Sequence, residues 1–515
     1  MVVTFPSRAT RRGFCIVIAL AALCGCTNMR MDVPVRHVVM FNEDGRLLDP
    51  TGTVGCQEPP ALCQGQHLSI IPYPELTKDQ REAYLDEVLA GLKNAPRGPE
   101  RKVAGQGEGD GGQAVGAPKR RLLVFVHGGL NTQKETVERV VALTGPITDA
   151  RYHPLFVNWR SSLISSYFDH AVFIRQGEKS TVLGPLTAPF VIAADIGRSV
   201  VRAPVVWGSQ LQGGVQTWPG LDLPYGLEER QKQLARKKDE PPPGGGSPAM
   251  AIDIVHGEDD RSWADMSFAG ISWALLEPVR LLLAAPLIDG FGTPAWDNML
   301  RRTQLLFHTA AEFRGGHKDE ARGDLALVVR RLHEELQKEP DDWEVVLVGH
   351  SMGAIVVNEL LREFPDFPAD TIVYMAAACS VRDFRQSVIP YLQRHPTTHF
   401  YNLSLHHKAE ERERWDRLVP YVDPAMRGSL LTWIDDFFSN PLTPMDKTLG
   451  QYVNFLRTEQ IHSPPSVRSR IHHKAFSVGG RFADCEPQQH GDFSRFPFWQ
   501  EDFYRPDGKG GGCSQ

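Results

Sequence analysis

The segment 343–357 constrains the fold more than any other part of this 515-residue chain. A continuous apolar run at 345–348 is followed by Gly-His-Ser-Met-Gly at 349–353 and then by residues with helical spacing. A glycine on either side of Ser351 lets the backbone bend sharply without a Cβ clash. The pattern predicts a buried strand, a tight turn and a helix. Ser351 would then lie at the top of a sheet and at a helix N-terminus, where developing negative charge is stabilised.

Further apolar segments extend this unit into a sheet. Runs such as Leu122–Val126 are typical of central parallel strands. Thr132 and Glu135 form a capping-box pattern for the helix that follows. Strands are also predicted at 153–159, 371–376, 398–405 and 472–478, and a helix is predicted from Asp324 to Leu336. Strands that alternate with helices favour right-handed βαβ units. The sequence therefore predicts an α/β fold with a mostly parallel central sheet and helices on both faces.

The remaining chain divides by composition. An N-terminal segment, 26–96, carries a predicted strand near 35–41 and a predicted helix near 77–93. Residues 97–118 are rich in glycine and charge, which predicts a flexible linker, and 506–515 predicts a flexible tail. The main domain is expected at 119–505.

A large insertion, 160–320, interrupts the main domain. It contains two apolar clusters, 182–211 and 263–296, separated by a charged, Pro/Gly-rich stretch at 232–248. Charges and Pro278 within the second cluster argue against a transmembrane helix. Two interpretations stay open: a mobile cap or lid whose apolar face receives lipid, or a helical insertion that packs on the core.

The N-terminus has the features of an export signal. Three arginines precede an apolar stretch at 14–23, which is too short to span a membrane as a mature helix. Residues 23–26, Leu-Cys-Gly-Cys, resemble the lipobox of bacterial lipoproteins. The resemblance implies a signal peptide at 1–25, lipid on Cys26 and a membrane anchor. Thr27 in place of aspartate suggests the outer membrane of the cell envelope. An ordinary secretory signal is the alternative.

Export makes disulfides possible. Cys56 and Cys63 are the first candidate pair, and Cys485 could pair with Cys513. The formal net charge of −6 and the lack of a basic stripe give no indication of nucleic-acid binding. The sequence has no P-loop, dinucleotide fingerprint or CxxC pair, so neither a metal nor an organic cofactor is expected.

The serine unit and its flanking strands resemble the α/β-hydrolase family of serine esterases and lipases over about 119–160 and 341–495. The resemblance implies that Ser351 is a nucleophile and that its base is a histidine in a loop after the last strand. His490, beside Gly491 and after a polar stretch, fits that position. His472 and His473 are the rivals.

The acid of the implied triad is the least defined residue. The loop after the strand at 398–405 has no aspartate where the family commonly places one, and Glu410 is our choice there. Asp383 is the main rival, and Glu411, Asp416 and Asp435 also stay open.

The sequence His-Gly-Gly-Leu at 127–130 resembles the HG motif of the same family. It implies an oxyanion hole formed by the N–H of Met352 and that of Gly129 or Leu130, with His127 supporting the loop. The implied reaction is cofactor-free hydrolysis of a carboxylic ester or lipid through an acyl-enzyme. An acyltransferase or thioesterase, and a non-catalytic envelope-anchored binding protein, are the alternatives.

Overall fold

The computed structural model describes residues 33–51, 73–99, 101–102, 115–216, 251–255, 282, 285–310, 312, 322–413, 428–476 and 486–505. The signal peptide, Cys26, the two candidate cysteine pairs, somewhat more than half of the linker and the C-terminal tail therefore lie outside the described residues. Cys379 is described as a buried free thiol.

The strands, in chain order, are β1 (Val38–Phe41), β2 (Leu47–Leu48), β3 (Arg101–Lys102), β4 (Val115–Gly116), β5 (Arg120–Val126), β6 (His153–Trp159), β7 (Ile174–Arg175), β8 (Glu178–Lys179), β9 (Ala251–Val255), β10 (Trp343–His350), β11 (Thr371–Met375), β12 (His399–Leu405) and β13 (Ile471–Phe476). The α-helices are α1 (Lys78–Lys93), α2 (Gln133–Asp149), α3 (Leu163–Val172), α4 (Leu183–Gln216), α5 (Ala285–Leu305), α6 (Asp324–Leu336), α7 (Gly353–Glu363), α8 (Val381–Arg394), α9 (His407–Arg412), α10 (Leu430–Trp433), α11 (Tyr452–His462), α12 (Pro465–Arg468) and α13 (Glu501–Tyr504).

Nine of these strands form one sheet in the order β2-β1-β6-β5-β10-β11-β12-β13-β9. Every neighbouring pair is parallel except β1 and β2. The central strands are buried along almost their whole length, as expected when helices cover a parallel sheet. The predicted α/β fold with a mostly parallel central sheet is confirmed.

The elements predicted from local patterns are also confirmed, with small shifts at their ends. Strand β6 has the predicted bounds, and β11 ends one residue earlier than predicted. Thr77 caps α1, and Thr132 caps α2 through the predicted capping box with Glu135. These signals depend only on residues a few positions apart, so the sequence shows them directly.

The N-terminal segment contributes two strands to this sheet, and the insertion contributes one. β1 pairs with β2 and β6, and β9, from within the insertion, pairs with β13 at the opposite edge. The insertion otherwise holds α3, the β7–β8 hairpin, α4 and α5, with α4 packed on α5 and on α3. No described helix is both long enough and apolar enough to cross a membrane.

The strand order determines where a site can form. From β5 the chain moves to β6 on one side, and it later returns to β10 on the other side. In open α/β sheets, ligands bind at the carboxyl ends of the strands where the order reverses in this way. The loop after β5 and the turn after β10 meet at this point.

Candidate active site

Ser351 stands in the turn between β10 and α7 with φ of +52°, a left-handed conformation that is rare for a residue with a side chain. The flanking glycines allow this turn for steric reasons. A Cβ on Gly353 would lie 2.1 Å from the carbonyl oxygen of Val126, and one on Gly349 would lie 2.9 Å from the nitrogen of Ala354. The turn therefore has the strained, glycine-flanked geometry that presents a serine side chain at the top of a sheet.

The structure brings Ser351 and His490 together. The Nε2 atom of His490 lies 2.9 Å from the Oγ of Ser351, and both residues are buried. Burial lowers the pKa of His490 to about 3, because desolvation disfavours the charged ring, and nearby His350 lowers it further. The ring is therefore neutral at neutral pH, and its Nε2 can accept the proton of the serine hydroxyl.

Two residues that no local sequence pattern indicates, His350 and Glu413, hold the loop of His490. The ring of His350 donates from Nε2 to the carbonyl oxygen of His490 (3.1 Å), and Glu413 accepts from the backbone N–H of His490 (2.8 Å). His350 is next to the serine in sequence, which is the only signal that could have indicated it. Glu413 belongs to a segment with several carboxylates and has no distinguishing local pattern.

Glu410 is buried, and none of its carboxyl contacts with described residues has full hydrogen-bond geometry, although the nearby Ser429 side chain lowers its pKa. The Nδ1 atom of His490 is buried and lacks a partner within those residues. Burial raises the pKa of Glu410 well above its usual range, and Glu413 raises it further. The structure thus places Glu410 close to the residue that holds His490, without a hydrogen bond between the carboxyl of Glu410 and the ring of His490.

The rival acids have other partners or lie outside the description. Asp383 bonds to Asn358 and pairs with Arg362. Asp435 accepts from the backbone N–H of Thr448 (2.7 Å) and from the Asn454 side chain (2.6 Å). The side chain of Glu411 and the whole of Asp416 lie outside the described residues.

The rival histidines lie on β13 and contact other side chains. His473 is buried between Asn402 (3.1 Å) and Ser404 (3.0 Å). His472 lies 3.0 Å from the ring of His399. Both are structural residues of the sheet, whereas His490 is the histidine that reaches Ser351.

The loop after β5 packs directly against the serine. A Cβ on Gly128 would lie 2.7 Å from the Cβ of Ser351, so only glycine allows this approach. The N–H of Leu130 donates to the carbonyl oxygen of Ser161 (3.1 Å), so it is already in use. Of the two candidates in this loop, Gly129 is therefore the better oxyanion donor beside Met352.

His127 supports this loop. Its Nδ1 lies 2.7 Å from the carbonyl oxygen of Gly128, and its Nε2 accepts from the backbone N–H of Trp159 (3.1 Å). Burial lowers the pKa of His127 to about 3, so the ring is neutral. Both ring nitrogens are occupied, in agreement with the supporting role expected from the sequence.

Helix α5 of the insertion covers the site. A Cβ on Gly129 would lie 2.7 Å from the Cε of Met299 and 2.8 Å from the Sδ of Met352. Met299 is buried, and Ser351 is only 1% exposed. The insertion therefore packs on the core at this point, beside the loop that contacts the serine.

One cluster has donor types that could hold a divalent cation. The Nε2 of His308 lies 3.2 Å from Glu359 and 3.5 Å from Glu363. The hydrogen bond to Glu359 raises the pKa of His308, and Arg362 also pairs with Glu359. Glu359 thus contacts both His308 and Arg362, and these side chains form one polar network.

The centre of the site thus combines a hydroxyl, a neutral imidazole that can accept its proton, and backbone N–H groups beside them. Groups of these types together are suited to acyl transfer. No protein-family profile, curated protein or solved structure matched this chain.

Proposed function

We propose that the protein is a serine hydrolase that cleaves carboxylic esters through an acyl-enzyme. The Oγ of Ser351 attacks the ester carbonyl carbon while its proton passes to Nε2 of His490. That proton then goes to the departing alkoxide. Water, deprotonated by the same nitrogen, attacks the acyl-enzyme and releases the acid and the free serine.

The observation that carries the proposal is the 2.9 Å contact between Ser351 Oγ and His490 Nε2 at a strained turn. Buried serine and histidine residues are common separately. Their contact at the carboxyl edge of a parallel sheet, beside a glycine loop, is the arrangement expected of a nucleophile and its base. It also supports assignment to the α/β-hydrolase fold.

We assign the triad acid to Glu410. A carboxylate beside Nδ1 would hold the imidazole in the tautomer that leaves Nε2 free to accept a proton, and it would stabilise the imidazolium that forms. Both groups are buried, and neither has a hydrogen bond of full geometry to a described residue, so a contact between them would satisfy both.

The N–H groups of Met352 and Gly129 are assigned to the oxyanion of the tetrahedral intermediate. Loss of one such donor typically lowers the rate by about 10² to 10³. A donor in the loop after β5 and a second one after the nucleophile would bind the oxyanion from two directions.

The test is hydrolysis of p-nitrophenyl esters of increasing chain length, together with labelling by a fluorophosphonate probe. Ser351→Ala should abolish labelling and lower hydrolysis by orders of magnitude, up to about 10⁶ in well-studied triads. Ser466→Ala, at an exposed serine far along the chain from the turn, is the matched control and should behave as wild type. Equal activity of the Ser351→Ala variant and the wild type would reject the mechanism.

The two alternatives give different results in the same experiments. An acyltransferase would label with the probe but would give ester or amide products when alcohols or amines are supplied. A non-catalytic binding protein would remain unlabelled although folded.

A lipid anchor on Cys26 would place either activity in the cell envelope. Incorporation of labelled fatty acid into the protein, and its loss in Cys26→Ala, would test that proposal.

A further inference from the structure

The outer surface of α4 is apolar over most of its length. Every exposed residue from Val182 to Leu211 is Val, Leu, Ile, Phe, Ala, Pro or Gly. Phe190 is 77% exposed and Val201 is 79% exposed. We call this surface the apolar stripe; its large side chains are those of Val182, Leu183, Leu186, Phe190, Ile192, Ile196, Val200, Val201, Val205 and Leu211.

The charged residues of α4 point the other way, towards the protein. Asp195 is buried and accepts from the hydroxyl of Tyr167 (3.0 Å). Arg202 donates from Nε to the buried carboxylate of Asp289 on α5 (2.8 Å). A surface helix of a soluble protein normally buries its apolar face and exposes its charges. Helix α4 has the reverse orientation, so its outer face suits an apolar environment.

The area of the apolar stripe distinguishes a protein partner from a lipid bilayer. From Leu183 to Leu211 the helix is about 42 Å long and about 10 Å wide, so the stripe covers on the order of 400 Å². A stable dimer buries about 800 Å² on each partner, with roughly one hydrogen bond per 100–200 Å². The exposed side chains of the stripe carry neither charge nor hydrogen-bonding groups. The stripe is therefore smaller and less polar than a stable protein interface, and the acyl chains of a bilayer need no polar contacts.

The apolar surface continues on α3, which packs beside α4. Ile164 and Phe168 of α3 are both more than half exposed. These residues widen the apolar surface without adding charge to it. A helix that lies in the interfacial plane of a bilayer presents such an uncharged, apolar face to the acyl chains.

We infer that α4 docks on a lipid bilayer, with the apolar stripe inserted among the acyl chains and the polar contacts of Asp195 and Arg202 facing the protein. The inference rests on the orientation of α4 and not on the proposed catalysis. Because α4 packs on α5, and Met299 of α5 covers the loop beside Ser351, docking would bring the covered edge of the sheet to the membrane.

Photo-crosslinking of the full chain in cells identifies the occupant. A p-benzoylphenylalanine replaces Phe190 in one variant and Leu442, which is 93% exposed outside the stripe, in the control. Phospholipid adducts should form at position 190 and not at position 442, even if the N-terminus is also membrane-anchored. Adducts to a second copy, adducts to residues 217–284 of the same chain, or no lipid adduct at position 190 would each overturn the inference.

Vesicle flotation measures the contribution of the stripe. The full chain carrying Cys26→Ser, which removes the proposed anchor, is mixed with vesicles of phosphatidylethanolamine and phosphatidylglycerol. Adding Phe190→Glu and Val201→Glu should lower the bound-to-free ratio at least tenfold, because each inserted side chain contributes substantially to partition. Leu442→Glu in the same background should leave the ratio unchanged.

Thermal unfolding of the same variants shows whether the substitutions disturb the folded structure. Because Phe190 and Val201 are mostly exposed, the glutamate pair should leave Tm close to that of the parent chain. An unchanged bound-to-free ratio would contradict docking. A large fall in Tm would show instead that the stripe packs against protein, which also contradicts it.

Discussion

Ser351 is held in a conformation that its own backbone disfavours. A non-glycine residue at positive φ costs on the order of 1–3 kcal/mol and persists only where its surroundings fix it. Here the Ser351 N–H donates to the carbonyl oxygen of Met375 (2.9 Å), and the Ser351 carbonyl accepts from the N–H of Ala378 (3.0 Å). Leu130 and Ala376, in the neighbouring loops, also have positive φ. Strain at the carboxyl edge is thus concentrated in the loops around the serine.

The choice of acid can be tested with two neighbouring glutamates. We expect Glu410→Gln to lower kcat/KM by about 10³ to 10⁴, the size of the effect when a triad carboxylate becomes an amide. Glu413→Gln should lower it less than tenfold, since an amide oxygen can still accept from the backbone N–H of His490. Ester hydrolysis gives kcat/KM, and the rate of fluorophosphonate labelling is a second readout. A larger loss in Glu413→Gln would reassign the acid.

At the residue scale, the sequence predicts Ser351 and His490 because each has a recognisable position. The serine stands between two glycines after an apolar run, and the histidine follows the last strand in a polar loop. The acid has no such signature, since the segment at 410–417 contains several carboxylates in a row of charged residues. His350 and Glu413 act through contacts with the backbone of His490, and side-chain identity does not reveal such contacts.

The turn between β10 and α7 can form because its glycines allow close packing against neighbouring backbone. We expect Gly353→Ala to destabilise the protein by about 3 kcal/mol or more, since the new Cβ would meet the backbone oxygen of Val126 and neither strand β5 nor helix α7 can move freely. Denaturant unfolding gives the change in free energy, and labelling at Ser351 should fall in parallel.

Gly208 provides the matched control. It lies in α4 and is exposed, and apart from its chain neighbours and the backbone of its own helix no atom comes within 4 Å of the position that a Cβ on this residue would take. Gly208→Ala should therefore stabilise the protein by about 0.5–1 kcal/mol through helix propensity. If both variants had the same small effect, the close packing of Gly353 against Val126 would not be what requires glycine there.

At the element scale, local patterns predict strands and helices well and predict their partners poorly. Strand β6 and the caps of α1 and α2 follow from residues close in sequence. The pairing of β9 with β13 joins segments more than 200 residues apart, and β1 and β6 are more than 100 residues apart. A short apolar strand carries no information on its neighbour, so the sequence does not predict that β1 and β9 join the central sheet.

The whole molecule holds several neutral histidines in its interior, which makes its stability depend on pH. Burial lowers the pKa of His350 to about 4 and that of four others to about 3: His127, His153, His473 and His490. Below the ordinary value of 6.5 the unfolded chain takes up protons that these folded residues do not bind. Their contribution to stability is therefore present above pH 6.5 and is lost on acidification.

Buried carboxyl groups act in the opposite direction. Burial raises the pKa of Asp435 to about 6, of Asp436 to about 7, and of Glu410 well above its usual range. These three groups release protons on unfolding between about pH 4 and pH 6 and so offset three of the five histidines.

We therefore expect the free energy of unfolding to fall by about 2–3 kcal/mol per pH unit near pH 5.5, corresponding to a net uptake of about two protons. Below about pH 4.5 the carboxyl groups no longer compensate, and the fall should steepen. Urea unfolding across pH 4–8 would measure it. A stability that is flat or rises as the pH is lowered from 6.5 to 5 would contradict the buried, neutral state of these histidines.

The contact between Ser351 and His490 joins positions 139 residues apart, and the loop at Gly128 comes from a third distant part of the chain. Such long-range contacts form late, because loop closure must precede them. During refolding, helical signal should therefore recover before reactivity at the serine does. The rate at which a fluorophosphonate probe labels Ser351 during refolding would therefore measure how fast β5, β10 and the segment after β13 come together.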